Sequence, residues 1–473
     1  MNELAQWLRD APFLRGRTNG GGQPRRDSRD VVGLVLSGGG ARSSFQVGAL
    51  RYLYDEVGIT PSVMTGTSAG SILASVLAQR GDHEGQRAAL AELERIWLGM
   101  TDSSDMFTPY PWFARLRAHM PTWRKVLTLR ARNGRHGDEE HAPGWSPSTV
   151  WEALGTLVQA VGTSTDLQTI VRGPTEERAA FTPGPIVDRL LEPHVFDPAR
   201  LASSPVTLRI AVVGLESGDL RYVTNTGAFR DREDRPLPGP EVDVVEAIRA
   251  SCAIPGVFPP VPLGSELYVD GGVRENLPVQ VAIDHLGVTR CYAVIASPSG
   301  VPPRDSFADA DMFDIIMRSA SGIMSDELLR DEVAFAHRHG VTVIAPTVDV
   351  HDLATIDPGL ISIAVDYGWL RAHDVVTGAS PQRRALTDEI IRTRRRAWEA
   401  EEAVYAPTPL EPATAGIGAA VQPAADRDRV AALKSELRDL LGQLPAEELP
   451  GHAQSWWRGW ERHAFTIDDE PPL

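Results

Sequence analysis

The sequence predicts an α/β protein built on a mainly parallel sheet, with a helical extension at its C-terminal end. Three observations carry this. Val31 to Ser37 is a nearly continuous apolar run ended by three glycines, the pattern of a strand buried on both faces. Strand-like and helix-like segments then alternate through tight, glycine-bearing turns, which is the grammar of α/β folds. Beyond about residue 377 the chain turns into charged helical patterns separated by a Pro/Ala/Gly stretch.

Each element follows in order. Residues 1–30 read as a polar, Gly- and Arg-rich tail. After the first strand, Phe45, Ala49, Leu50, Leu53 and Val57 recur at helical spacing from Ser43 to Glu56, and Ser43 suits a helix N-cap. Ser62 to Thr67 reads as a strand, Ala69 to Arg80 as an Ala-rich buried helix, and His83 to Met100 as an amphipathic helix. Residues 101–185 break the pattern and read as an irregular insertion. Val206 to Thr224 predicts a hairpin turning at Glu216 to Asp219. Asp243 to Ala253 predicts a helix, Leu267 to Val269 a strand and Leu277 to Leu286 a helix. Strands are expected at Cys291 to Ala296 and Val341 to Ala345, with helix from Asp314 to His337 between them. Leu360 to Val375 closes a domain spanning 31–376. The extension, 377–473, contains a helix from Gln382 to Tyr405 whose arginines read as a solvated face. A linker at 406–426, an amphipathic helix at Asp428 to Leu441 and a tryptophan cluster at Trp456, Trp457 and Trp460 follow.

Composition narrows the function. The 473 residues carry 47 basic and 63 acidic side chains, a net charge of −16, which argues against bulk nucleic-acid binding. The 42% hydrophobic and 23% charged fractions are those of a folded globular protein. Two cysteines, Cys252 and Cys291, make no disulfide framework, and residues 1–30 lack the apolar centre of a secretory signal. With no long apolar run, the expected location is cytoplasmic, with peripheral contact to membrane.

Three short pieces bear chemistry. In Gly66-Thr67-Ser68-Ala69-Gly70, a serine with glycines two residues to either side suits a sharp strand-to-helix turn that exposes its Oγ. Gly38-Gly39-Gly40-Ala41-Arg42 offers backbone N–H groups to an anion ahead of a helix, as a phosphate cradle or as an oxyanion hole. Ser43 breaks the dinucleotide fingerprint, and no lysine completes a P-loop. Asp270-Gly271-Gly272 places an acid at a strand end, where open α/β sheets carry functional groups. Each is also compatible with an ordinary turn.

Together, Ser37 to Arg42, Gly66 to Gly70, Ala250 to Pro259 and Val269 to Pro278 resemble the motifs of the bacterial-type patatin-like phospholipases, in the right order. The resemblance implies a three-layer α/β/α fold and a lipid acyl hydrolase with a Ser–Asp dyad. Ser68 would be the nucleophile and Asp270 the base. Gly39 and Gly40 would form the oxyanion hole, and Gly38, Arg42, Gly66, Gly70, Gly271 and Gly272 would support the three motifs. No metal or cofactor is implied. The family usually has glycine where Ser43 stands. A Ser–His–acid triad through His285 or His373 is the mechanistic competitor. A non-lipid esterase or thioesterase, and a catalytically weak acyl-binding scaffold, are the functional ones.

Seven basic residues and no acid lie between Arg115 and Gly137, beside Trp112, Phe113 and Trp123. Aromatic and basic residues together suit an anionic bilayer, with Trp112, Trp123, Arg124 and Lys125 as contacts. A solvated basic face with a local aromatic core fits equally well.

Overall fold

The computed structural model describes residues 30–115, 176–303, 306–308, 310, 312–406 and 423–471. The N-terminal tail, most of the insertion with Trp123, Arg124 and Lys125, and most of the linker lie outside the described residues.

The chain begins with β1 (Val32–Leu36), α1 (Ser43–Asp55), β2 (Val63–Thr67), α2 (Ala69–Ala78) and α3 (His83–Leu98). All ten residues of α2 are buried, as an apolar helix without a polar face requires. A small antiparallel pair of β3 (Phe107–Pro109) and β4 (Phe181–Pro183) brackets the insertion. Two short helices, α4 (Pro185–Leu190) and α5 (Pro198–Ala202), lead into β5 (Thr207–Gly214), β6 (Leu220–Thr224) and β7 (Phe229–Arg230). Next come α6 (Val244–Ser251), β8 (Val261–Leu263), β9 (Glu266–Asp270) and β10 (Arg290–Val294). Then follow α7 (Met312–Met317), α8 (Ser325–Arg338), β11 (Thr342–Ile344), α9 (Pro358–Val376), α10 (Pro381–Tyr405), α11 (Pro423–Leu441) and α12 (Ser455–Arg458).

Among the described residues nine strands form one sheet, in the order β11-β10-β1-β2-β5-β6-β7, with β9 paired to both β5 and β8. The run from β11 to β5 is parallel, and the strands beyond are antiparallel. Side chains alternate across it. Leu34 and Leu36 join a core with α1, α2 and α9, whereas Val35, Val63 and Ala293 join a second core with Leu329 and Ala336 of α8. This is a three-layer α/β/α fold.

The C-terminal helices share the first core: Ile390, Ile391, Leu437, Leu441 and Trp456 pack into the same cluster as Leu34 and Leu36. Two expectations need correction. Leu277 to Leu286 is not helical throughout; winding starts only at Val279 and continues as a π-type turn over Val281–His285. Pro278 has no N–H to give a helix, and its carbonyl accepts from Thr65 Oγ1 at 2.7 Å, which ties the segment to β2. Nor are all the α10 arginines solvated. The Arg394 side chain is only 3% exposed and pairs with Asp366 at 2.6 Å and Glu461 at 2.8 Å.

Candidate active site

The sheet register brings the serine and the acid together. On one edge of β5, β2 pairs with Thr207 to Ala211, and its last residue, Thr67, faces Ala211. β9 pairs with Val212 to Gly214, and its last residue, Asp270, faces Val212. Since β6 occupies the other edge at Arg209 to Val213, β9 takes over where β2 stops. Ser68, the next residue of the chain after Thr67, therefore emerges beside Asp270.

Ser68 has φ 54° and ψ −132°, a conformation rare for a side-chain-bearing residue and typical of strain held at a functional turn. Its N–H donates to Ser251 Oγ at 3.0 Å, and Ser251 Oγ donates to the Ala211 carbonyl at 2.8 Å. Gly66 and Gly70 make the elbow possible. A Cβ on Gly66 would lie 2.6 Å from the Gly70 carbonyl oxygen, and one on Gly70 would lie 2.5 Å from that of Ser37.

Asp270 is buried, and burial pushes its pKa up to about 6 from a usual value near 3.8. Hydrogen bonds from the Ser68 side chain and from Gly272 N–H, the latter at 2.8 Å, oppose that rise. Gly271 backs against β5, where a Cβ would meet the Ala211 carbonyl at 2.6 Å.

The glycine loop lies against Ser68: a Cβ on Gly38 would stand 3.0 Å from Ser68 Cβ. Gly38 N–H donates to Asn276 Oδ1 at 3.0 Å. Among the described residues, Gly39 and Gly40 N–H have no hydrogen-bond partner. Gly40 sits at φ 55°, pressed against the Leu353 carbonyl, while Ala41 N–H donates to that carbonyl at 3.0 Å. Arg42 pairs with Asp349 through Nη2 at 2.6 Å and Nε at 3.1 Å. It thus ties the loop to the segment 349–353.

Ser43 does not cap α1. It is the first residue of the helix, buried, with no partner for its Oγ. Its N–H instead donates to the Gly40 carbonyl, continuing the short 3₁₀ turn at Gly40–Arg42.

Ser68 opens onto a cavity of about 920 Å³ whose walls include Ile72, Met106, Phe107, Phe181, Ile186 and Val257. No histidine is among the described residues that line it; His285 and His373 lie elsewhere. Trp112 is half-buried, with its indole N–H donating to the Ala179 carbonyl at 3.1 Å. It stands edge-on to Phe113, which in turn packs against Phe181. Among the described residues no group of three or more His, Cys, Asp or Glu is arranged to hold a metal ion. No described helix is long and apolar enough to cross a membrane.

The sequence reading singled out neither Ser251, Asn276, Asp349 nor Glu332. Ser251 and Asn276 stand inside two of the motif stretches, so a signal existed. Asp349 and Glu332 have no local pattern around them.

Fold and site define an α/β protein with a serine elbow that faces a buried acid and opens onto a largely apolar cavity. The chain belongs to the patatin-like phospholipase family, whose model matches residues 34–283, just over half of it. A curated relative, lysophospholipase nte1 of Aspergillus niger, is 39% identical over 79 residues, or 16% of this chain. The match spans only 5% of that relative's length. Among solved structures, VipD of Legionella pneumophila is similar with a TM-score of 0.31 and 13% identity, over 91% of both chains. Human GIVD cytosolic phospholipase A2, solved with a fluorophosphonate inhibitor, gives 0.28 and 14% over 67% of this chain and 45% of its own. ExoU of Pseudomonas aeruginosa, solved with SpcU, gives 0.22 and 16% over 91% and 70%.

Proposed function

We propose that the protein is a lipid acyl hydrolase of the phospholipase A type, working through a Ser68–Asp270 dyad. One observation carries this reading: a strained serine elbow and a buried acid meet on one strand edge, at an apolar cavity sized for acyl chains. Ser68 Oγ attacks the ester carbonyl as Asp270 takes its proton. The tetrahedral oxyanion is held by Gly39 and Gly40 N–H, whose lack of internal partners leaves them free to donate. Asp270 returns the proton to the departing alcohol, leaving an acyl-Ser68 ester. Water then attacks that ester, giving its proton to Asp270. The fatty acid leaves as the proton passes back to Ser68.

The Asp270 environment gives the pH dependence. A base must be ionised, so kcat/KM should rise tenfold per pH unit below about 6 and level off above it. The same shift carries a stability consequence of fixed sign. A carboxyl whose folded pKa lies above its unfolded one binds its proton more tightly when folded. The ionised form therefore weakens the fold as pH rises from about 3.8 through 6. Asp270→Asn should abolish turnover yet melt no lower than the native chain at pH 8. A pH–rate profile flat down to pH 4, or full activity in Asp270→Asn, would remove Asp270 as the base.

Hydrolysis of phospholipid vesicles compared with soluble esters and thioesters separates a lipase from a non-lipid esterase. We further propose that the aromatic and basic segment beginning at Trp112 docks on anionic bilayers. Arg124→Glu with Lys125→Glu should cut binding to phosphatidylserine-containing vesicles by about 30-fold or more, at about 1 kcal/mol for each basic residue lost. Sedimentation of protein with vesicles measures this, and unchanged binding rejects the docking role.

A further inference from the structure

We propose that Asn276 and Glu332 form a bracket that positions the glycine loop against Ser68 and Asp270, an inference that rests on the reaction proposed above. Gly38 N–H reaches Asn276 twice, at the side-chain Oδ1 (3.0 Å) and at the backbone carbonyl (3.2 Å). Asn276 is itself held from behind. Its N–H donates to Glu332 Oε1 at 3.0 Å, and Leu277 N–H donates to Oε2 at 2.8 Å. Glu332 belongs to α8, which is rooted in the second core through Leu329 and Ala336.

The strip around Asn276 also meets the other two parts of the site. Thr67 Oγ1, one residue before the serine, donates to the Glu275 carbonyl at 3.0 Å. On the acid side, a Cβ on Gly272 would stand 3.6 Å from Asn276 Oδ1 and 3.1 Å from Asp270 Oδ1. One short strip therefore fixes serine elbow, acid turn and glycine loop relative to one another. Because Gly38 N–H is spent on this anchor, the loop is oriented at one end while Gly39 and Gly40 N–H remain open. Misplacing a reacting group by about 1 Å can cost about 10²-fold in rate, so the bracket acts on catalysis although Glu332 need touch no substrate.

The test uses the full chain with Asn276→Ala, Asn276→Asp, Glu332→Leu and Glu332→Gln. It reads kcat and KM on a medium-chain p-nitrophenyl ester, inhibition by an alkyl boronic acid, and melting temperature. The boronate adopts the tetrahedral anionic form that the loop is proposed to hold. In Asn276→Ala and Glu332→Leu, kcat should fall about 10²-fold with KM nearly unchanged, and boronate affinity should fall in parallel. Asn276→Asp keeps the acceptor for Gly38 N–H, and Glu332→Gln keeps one of two acceptors. Both should retain more activity than their truncated counterparts, and they decide the matter if a truncation fails to fold. Unchanged kcat in the folded variants, or a loss that follows melting temperature rather than boronate affinity, overturns the bracket. Ser68→Ala run alongside separates the two readings. If it stays active, the serine mechanism falls and takes the bracket with it. If it is dead while Asn276→Ala is unimpaired, only the bracket fails.

Discussion

Ser68→Ala is expected to lower kcat/KM for ester hydrolysis by on the order of 10⁴-fold or more, with little change in melting temperature. The substitution removes the atom proposed to form the acyl bond. It leaves the elbow's backbone anchors in place, since Ser68 N–H to Ser251 does not involve the lost hydroxyl. Binding of substrate should survive, because the cavity walls are contributed by other residues. Removing the hydroxyl also takes away one of the two hydrogen bonds that hold the Asp270 pKa down, so that carboxyl should titrate higher in the variant. Burst release of p-nitrophenol from a medium-chain ester is the direct readout. A burst that persists in Ser68→Ala would show that acyl transfer occurs elsewhere. No turnover in the native chain, with acyl chains still bound, would favour the scaffold reading.

Arg394→Met is expected to destabilise the fold by about 3–5 kcal/mol, the usual cost of stranding a buried charge. Arg394 gives Nη1 to Asp366 at 2.6 Å, and Nε and Nη2 to Glu461 at 2.8 and 3.0 Å. Its guanidinium also lies 4.3 Å from the centre of the Trp456 ring. Methionine would fill most of the volume but strip Glu461 of both its Arg394 bonds and leave Asp366 with His452 alone. Burial works to raise the Asp366 pKa, yet Arg394 and His452 outweigh it and hold it below the usual value near 3.8. This contribution is therefore present above that value and is lost as pH falls below it. Urea unfolding at pH 7 measures the loss. An unchanged midpoint would mean that the pair merely breaks even. The effect should reach the site, because Asp366 lies on α9, which crosses α1 at near contact. A Cβ on Gly48 would meet the Val365 carbonyl at 1.7 Å, and one on Gly368 that of Phe45 at 2.0 Å.

The parts of the molecule that were legible in the sequence are those with local signatures. The buried strands at Val32–Leu36 and Val63–Thr67 showed as apolar runs, and the serine elbow, glycine loop and acid turn showed as short motifs. What escaped depends on contacts between distant segments. Nothing near Glu332 announces that its carboxylate will take two amides 55 and 56 residues earlier in the chain. Arg394 sits in a run of arginines and acids that reads as solvent-facing, and only Asp366 and Glu461 arriving from elsewhere bury it. Ser43 misled because serine before a helix is a good cap, whereas here a 3₁₀ turn precedes the helix and uses the backbone instead. The helix expected from Leu277 starts two residues late, after Pro278, whose carbonyl is claimed by a side-chain hydroxyl on β2.

The shared edge of β5 acts as a ruler with two users. Because successive strand residues face opposite ways, deleting a single residue from β9 would swing the Asp270 side chain to the far side of the sheet. Hydroxyl and carboxylate would then be divided by the backbone itself, a separation that no side-chain rearrangement could bridge. Length changes in this enzyme family's relatives should therefore be tolerated in the loop before β9 and forbidden within it.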